Sequence, residues 1–290
     1  MTTPERASDS KYGRVYLAQQ INEGAPTPTW ANIHSGVWVP SVTNVIDVAG
    51  KPFLKQWAAR LAAEAAVGAA ATHHTQMVNR PRDAAVWAAA AADRHTNAAA
   101  ELGDLVHNLC EERSHGGTPD VPEAAKPYMR AWEQFIADFA PTFTAIEATV
   151  YGNVSSPDGD LGYAGTADFF ATIQGTPFVG DYKSGRYVHD SAALQLAALA
   201  NAEPPLGMSD GRRDRPHSGL VVHLTPSGYR VHQTDTHAGS PGWDAFQHLR
   251  RVWDFHVRSL AARQPTLLHE AVSHPDALIH PAHTANERTS

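Results

Sequence analysis

Three side chains within twenty residues could do chemistry together. Gly165–Ser184 reads GTADFFATIQGTPFVGDYKS and carries Asp168, Asp181 and Lys183. Side chains alternate across a strand, so Asp181 and Lys183 share one face of theirs. Thr166, Asp168 and Phe170 share a face of the strand before. A two-residue hairpin loop at Gln174-Gly175 sets Asp168 directly opposite Asp181, with Cβ atoms roughly 4.5–5.5 Å apart. Two carboxylates at that spacing repel and titrate upward unless a cation lies between them. Hard divalent ions are held by one or two carboxylates and keep waters for substrate. With the Lys183 ammonium one pleat along, the trio and one metal can activate water against a phosphodiester. The same residues also allow an ordinary cross-strand ion pair of Asp168 with Lys183, with Asp181 capping the turn region. A bulge at Gly175 would move the register by one.

Three further elements bear on that choice. Glu147 lies in FTAIEATVY, where Ile146, Ala148 and Val150 supply the apolar face and Glu147 looks the other way. Gln195 interrupts the apolar run SAALQLAALA just after the hairpin. His107 lies in AAAELGDLVHNLCEE, and Gly103, one helical turn earlier, leaves space over the imidazole for an ion or a phosphate.

In this order the pieces resemble the PD-(D/E)xK nuclease superfamily, in its RecB-like exonuclease branch, which includes CRISPR-associated exonucleases and phage-encoded relatives. The matching segments are GDLVH ending at His107, IEATVY with Glu147, GTADFF with Asp168, GDYKSG with Asp181 and Lys183, and QLAALA opening at Gln195. PSVTNVIDV, followed by a helix with Lys55, Trp57 and Ala58, is similar to the N-terminal part of phage members. The resemblance covers about Pro40–Arg263. It implies that Asp168 and Asp181 ligate a divalent metal, with the Tyr182 carbonyl and His107 as further ligands and Glu147 in support. It further implies that Lys183 positions or deprotonates the attacking water, and that Gln195 contacts the Lys183 region or the DNA backbone. An imidazole ligand suits Mn²⁺ better than Mg²⁺. Two departures stand out. The branch commonly has a Tyr four residues after the Gln, where this chain has Leu199, leaving Tyr187 as a substitute contact. Some members hold an iron–sulfur cluster on four cysteines, and this sequence contains only Cys110.

Other motifs fail on spacing. His269-Glu270 and His274 are one residue too far apart for HExxH, so the two imidazoles would not share a helix face. GDYKSG lacks the glycine spacing of a phosphate loop, so no nucleotide is expected. The net charge of −7 argues against a simple basic-patch binder of nucleic acid. Charge is uneven, however: residues 205–263 hold eight Arg, five Asp and no Lys, a net of +3. Arg212, Arg213 and Arg215 sit in a Pro/Gly-bounded loop, and Arg250, Arg251 and Arg258 on the last helix. All are candidate phosphate-backbone contacts.

The elements that must position these residues follow from pattern. Residues 1–35 read as a loose arm, with Gly36–Val48 containing a short extended piece broken by Pro40. Helical composition runs on from Lys51, punctuated by Asn79–Arg82. A second helix is expected over Asp83–Ser114, broken near Thr96-Asn97, and a third over Pro122–Phe139, with Tyr128, Trp132, Phe135, Ile136 and Phe139 on one face. Strands are expected at Phe143–Tyr151, Gly162–Ile173 and Pro177–Lys183. A helix at Asp190–Ala202, a hairpin of Leu220–Thr225 with Tyr229–Gln233, and a helix at Gly242–Arg263 complete the order. Residues 264–290 read as a disordered tail.

The expected fold class is α/β: a mixed β-sheet, restriction-endonuclease-like nuclease core at 141–263, a helical part at 36–140 packed on it, and a C-terminal helix. With 290 residues, 42% hydrophobic and 18% charged, the chain can bury a full core. No apolar run approaches a membrane span, and the N-terminus lacks the pattern of a secretory signal. The expectation is therefore a cytoplasmic, Mg²⁺- or Mn²⁺-dependent deoxyribonuclease acting on DNA ends in phage or bacterial recombination, repair or degradation. A helicase or recombination protein would act in trans. A structure-specific endonuclease and a catalytically silent DNA-binding scaffold are the alternatives.

Overall fold

The structure, a computed structural model, describes residues 6–9, 13–18, 37–50, 52–203 and 216–262. Its elements run β1 (Arg6–Asp9), β2 (Gly13–Leu17), β3 (Trp38–Pro40), α1 (Val42–Asp47), α2 (Pro52–Asn79), α3 (Pro81–Ala89), α4 (Ala91–Ser114), α5 (Lys126–Phe139), β4 (Thr142–Val154), β5 (Leu161–Ile173), β6 (Thr176–Lys183), α6 (Ser191–Asn201), β7 (Ser218–Thr225), β8 (Gly228–Asp235) and α7 (Pro241–Ala262). The class is mixed α/β, as expected. From β4 onward the order of strands and helices follows the sequence pattern.

Three expectations for the N-terminal part are corrected. Residues 6–9 and 13–17, read as loose arm, form strands that pair with each other, and the second of them pairs with β3 in a three-stranded antiparallel sheet. Residues 42–47, read as extended, are helical because Ser41 caps them: its Oγ accepts from the Asn44 N–H at 3.1 Å. The helical break falls at Ala90 rather than near Thr96-Asn97. The tail 264–290, the Arg212, Arg213 and Arg215 loop, and the side chains of Lys55 and Arg258 lie outside the described residues.

The second sheet has the order β4-β5-β6-β7-β8, antiparallel except for β6 and β7, which run parallel across the α6 crossover. One face packs on α1, α6 and α7, burying Val179, Val221, Leu196, Leu199, Phe246 and Trp253. The other packs on α4 and α5, burying Phe169, Tyr182 and Val222 against Val106, Trp132 and Phe135. Helices on both faces make a three-layer core.

The β5–β6 hairpin has the register expected from its loop. Ile173 pairs with Thr176 and Phe169 with Gly180. Gln174 and Gly175 both take positive φ, 49° and 81°, the left-handed pair that a two-residue loop demands. Gly180 answers a different need. The Phe169 ring lies across it, and a Cβ there would overlap the ring. That ring also meets Tyr182 at 5.0 Å and Phe143 at 5.6 Å between centroids.

Alternation breaks twice in β4, at the register shift between Phe143 and Ala145 and again near Glu147, at a level shared with β5. In β4, Ala145 faces the α6 side before the second break, and Ala148, Val150 and Val154 face it after. In β5, Tyr163 and Ala167 face that side, then Phe170 does. Both strands change parity between these residues, and Glu147 there has φ of 47°. Thr166 therefore does not share a face with Phe170 as expected. It turns the other way, its Oγ1 3.0 Å from Thr149 Oγ1 and 3.5 Å from the Tyr16 hydroxyl. Gly180→Ala should destabilise the protein by roughly 1–3 kcal/mol through displacement of Phe169. Urea unfolding checks this, and an unchanged midpoint would contradict the packing.

Candidate metal centre

The site forms where alternation fails. Left-handed backbone at a glutamate within a strand is uncommon and costs of order 1–3 kcal/mol. Glu147 lies on the α4 side, opposite Ala148 and Val150 as expected, where His107 projects from the helix face that packs on the sheet. The imidazole lies between two carboxylates: Nε2 is 2.7 Å from Asp168 Oδ2, and Nδ1 is 3.7 Å from Glu147 Oε1. Nε2 also lies 3.2 Å from the Tyr182 carbonyl oxygen, while the Tyr182 N–H donates to Asp168 Oδ2 at 2.6 Å. One ligand atom from each of His107, Glu147 and Asp168 fits within 4.8 Å of the others, the arrangement a single cation needs.

Asp181 and Lys183 stand beside this group. Asp181 is 2% exposed, and the Lys183 ammonium lies 2.7 Å from each of its carboxylate oxygens. The Gln195 amide, reaching from the first turns of α6, donates to Asp181 Oδ1 at 3.1 Å. Among the described residues, Asp181 is thus held by Lys183 and Gln195 rather than grouped with the three convergent ligands. Lys183 pairs with Asp181, not with Asp168 as a simple cross-strand ion pair would have it. Gly103 does leave room: a Cβ there would meet only Ser184 Oγ, at 3.6 Å.

The electrostatics follow from the packing. Burial works against a charged imidazole, but the close Asp168 carboxylate, the nearby Glu147 carboxylate and the Asp181 charge raise His107 to about 10. Burial and the neighbouring Asp168 charge push the Asp181 carboxyl up, against the pull of Lys183. Burial also opposes the Lys183 charge, yet Asp181 and Asp168 keep its ammonium above the ordinary lysine value. The carboxylates of Glu147, Asp168 and Asp181 thus hold the protons of His107 and Lys183 in place.

The remaining candidates are distributed as follows. Tyr187 is 63% exposed on the loop after β6, with the Arg186 guanidinium 5.2 Å from its ring centroid. Arg250 is a correction: it is 3% exposed and turned inward. Its Nε donates to the Gly162 carbonyl at 2.9 Å, and its guanidinium lies 5.0 Å from the Trp253 ring centroid. Burial lowers it to about 10, so it ties α7 to β5 and presents nothing to a ligand. Arg251 is exposed, but its Nε and Nη2 donate to the Ser155 carbonyl at 3.3 and 2.9 Å, fastening the β4–β5 loop. Sequence reasoning passed over His223, a polar residue inside LVVHLT. It is 4% exposed, and its Nε2 lies 2.6 Å from the Gly185 carbonyl, holding the loop that follows Lys183. Its place in an apolar strand was the available signal.

No family model and no curated protein matches this chain. A solved structure described as "Crystal structure of SSO0001" aligns at 12% identity with a TM-score of 0.29. The alignment covers 48% of this chain and spans 58% of the length of that one, and a likeness at this level carries no argument. Among the described residues, no helix is long and apolar enough to cross a membrane.

The His107 shift has a sign that can be tested. Its folded pKa lies above the unfolded 6.5, so the stabilisation is fully present below pH 6.5 and is lost as pH rises through about 10. In chelator-treated protein, the His107 ring resonances should titrate well above 6.5, and Glu147→Gln should lower that midpoint. A wild-type midpoint at or below 6.5 would refute the clamp between the two carboxylates.

Proposed function

We propose that the protein is a divalent-metal-dependent DNA nuclease of the PD-(D/E)xK type, RecB-like, hydrolysing phosphodiester bonds from DNA ends. The observation that carries this reading is the convergence of His107, Glu147 and Asp168 within 4.8 Å, beside the Lys183–Asp181–Gln195 group.

The donor set fits a first-row divalent ion. One imidazole nitrogen with carboxylate oxygens, and the Tyr182 carbonyl alongside, favours Mn²⁺ over Mg²⁺, which prefers oxygen alone. The field that lifts His107 to about 10 also attracts such a cation. His107, Glu147, Asp168 and the Tyr182 carbonyl would hold the ion. When bound it would supply charge neutralisation and polarisation of the phosphodiester.

The chain's own residues do the rest. Lys183 enters as an ammonium, since its neighbours hold its proton in place, and so serves to orient water and offset charge developing on the phosphate. Asp181 fixes that ammonium by contact with both oxygens, and Gln195 fixes Asp181. The setting within recombination, repair or degradation of phage or bacterial DNA belongs to the same proposal.

End-labelled linear DNA and closed circles, incubated with Mn²⁺ or Mg²⁺, test it. Wild type should degrade linear DNA only with metal. Lys183→Ala should lose activity on the order of 10²–10³-fold, and Asp168→Ala should abolish it. Degradation that survives both substitutions would overturn the site. Cutting of circles would make the enzyme an endonuclease, and binding without cleavage would make it a silent scaffold.

A second outcome follows from the raised imidazole. Mn²⁺ binding at pH 7.5 should release about one proton from wild type, because a ligating histidine must be neutral. His107→Ala should release none. Calorimetry in buffers of different ionisation enthalpy reads this directly, and equal release by both proteins would contradict the assignment of His107.

A further inference from the structure

Beyond Lys183 the sheet continues into a concavity that the catalytic reading does not use. The parallel β6–β7 ladder pairs Lys183 with His223 and Asp181 with Val221. The antiparallel β7–β8 ladder pairs His223 with Arg230 and Val221 with His232. Directly paired residues project to the same face, so two rows cross three strands: Lys183, His223, Arg230, and Asp181, Val221, His232. At the ordinary strand spacing, Arg230 stands about 10 Å from Lys183 along its row.

Over the far end of these rows lies a cavity of about 550 Å³, between the loop after β6, the start of α6, and β7 and β8. That volume is within the range of small-ligand sites. Arg186, His189, His223, Arg230 and His232 line it, and Asp190 is the only carboxylate among its described lining residues. His223 lines it and holds Gly185 in place, next to Arg186 and Tyr187, which line it too. Tyr187 gives the rim a largely exposed aromatic ring, and Val188, Ala192 and Val221 give the wall an apolar part. Two guanidiniums, an aromatic platform and an apolar wall match the three parts of a nucleotide: phosphate, base and sugar.

We propose that this cavity is a terminal-nucleotide subsite, in which Arg186 and Arg230, with His232, bind a phosphate at a DNA end while the base lies against Tyr187. The proposal rests on the nuclease reading for its link to catalysis, and gives a physical reason for attack at ends: an end seated here presents a nearby bond to Lys183. The Arg186 and Arg230 side chains act on the substrate, and His223 is a positioning residue.

The test has one arm that does not depend on catalysis. Binding of thymidine 5′-monophosphate and of thymidine is measured by calorimetry in chelator, for wild type and for the double variant Arg186→Ala/Arg230→Ala. Both positions are exposed, and an unchanged thermal midpoint verifies the fold. The monophosphate should bind wild type at least tenfold more tightly than thymidine, and the double variant should lose that difference. Arg186→Lys/Arg230→Lys should restore part of it. The second arm compares linear DNA with phosphorylated and hydroxyl ends. Wild type should have a lower KM for phosphorylated ends, and the double variant should show no preference.

Equal binding of thymidine and its 5′-monophosphate, or a double variant that binds like wild type, would overturn the subsite. The nuclease reading fails separately. If wild type hydrolyses no DNA with either metal yet binds the monophosphate through the two arginines, the pocket stands and the catalytic reading falls.

Discussion

The rest of the site depends on a histidine held between two carboxylates that come from adjacent strands. A regular antiparallel pair would leave Glu147 and Asp168 opposite one another but aimed according to strict alternation. Glu147 faces away from Ala148 and Val150, as alternation with them predicts, to the side from which His107 descends, and its left-handed backbone marks the change of parity relative to Ala145. The strain is of order 1–3 kcal/mol. It is offset where the imidazole, raised to about 10, joins the helix layer to the sheet through Asp168 at 2.7 Å. Without that clamp, Asp168 would be a buried carboxylate whose Oδ2 is left with the Tyr182 N–H.

Around the clamp, the sheet and its two helix layers act as a frame with distinct duties. α4 brings His107, packed through Val106, Leu109 and Cys110 against the strands. α6 brings Gln195 from the other layer, its apolar neighbours Leu196, Ala197 and Leu199 buried beneath it. The ligand cluster and the Lys183–Asp181 pair therefore receive support from opposite faces. Phe169, laid over Gly180, fixes the two strands immediately beside Asp168 and Asp181. An ion pair between a half-exposed lysine and a buried carboxylate, such as Lys183 and Asp181, contributes little net stability once desolvation is counted. Its value lies in setting where an ammonium stands.

How much of this could be read from the chain depended on whether one residue type carries the structural requirement. Gln174-Gly175 lies at a two-residue turn, and the turn fixes register, so the hairpin and the proximity of Asp168, Asp181 and Lys183 were legible. Helix positions 191–201 and 241–262 were legible from apolar spacing to within a residue or so. The kink at Glu147 was not, because glutamate has no special tolerance of positive φ and nothing local marks it. The face of Thr166 was misjudged for the same reason. Arg250 was misjudged because a helix stripe does not reveal that a guanidinium will find a carbonyl, Gly162, across the core. The strands at 6–9 and 13–17 were missed because they are too short to show a period and are stabilised by pairing with each other and, through β2, with β3.

The overall charge of −7 takes on a local meaning in this frame. Acidic groups are concentrated where a cation would sit, while Arg186, Arg230 and the nearby histidines line the ground beside them. The central claim is that the cluster at the strand kink holds a divalent ion through an imidazole nitrogen. Anomalous diffraction from crystals soaked in Mn²⁺ tests it most directly. The expected result is one strong peak within bonding distance of His107 Nε2 and the Asp168 carboxylate, with Glu147 alongside. An imidazole still paired to Asp168, with no manganese peak between them, would contradict it.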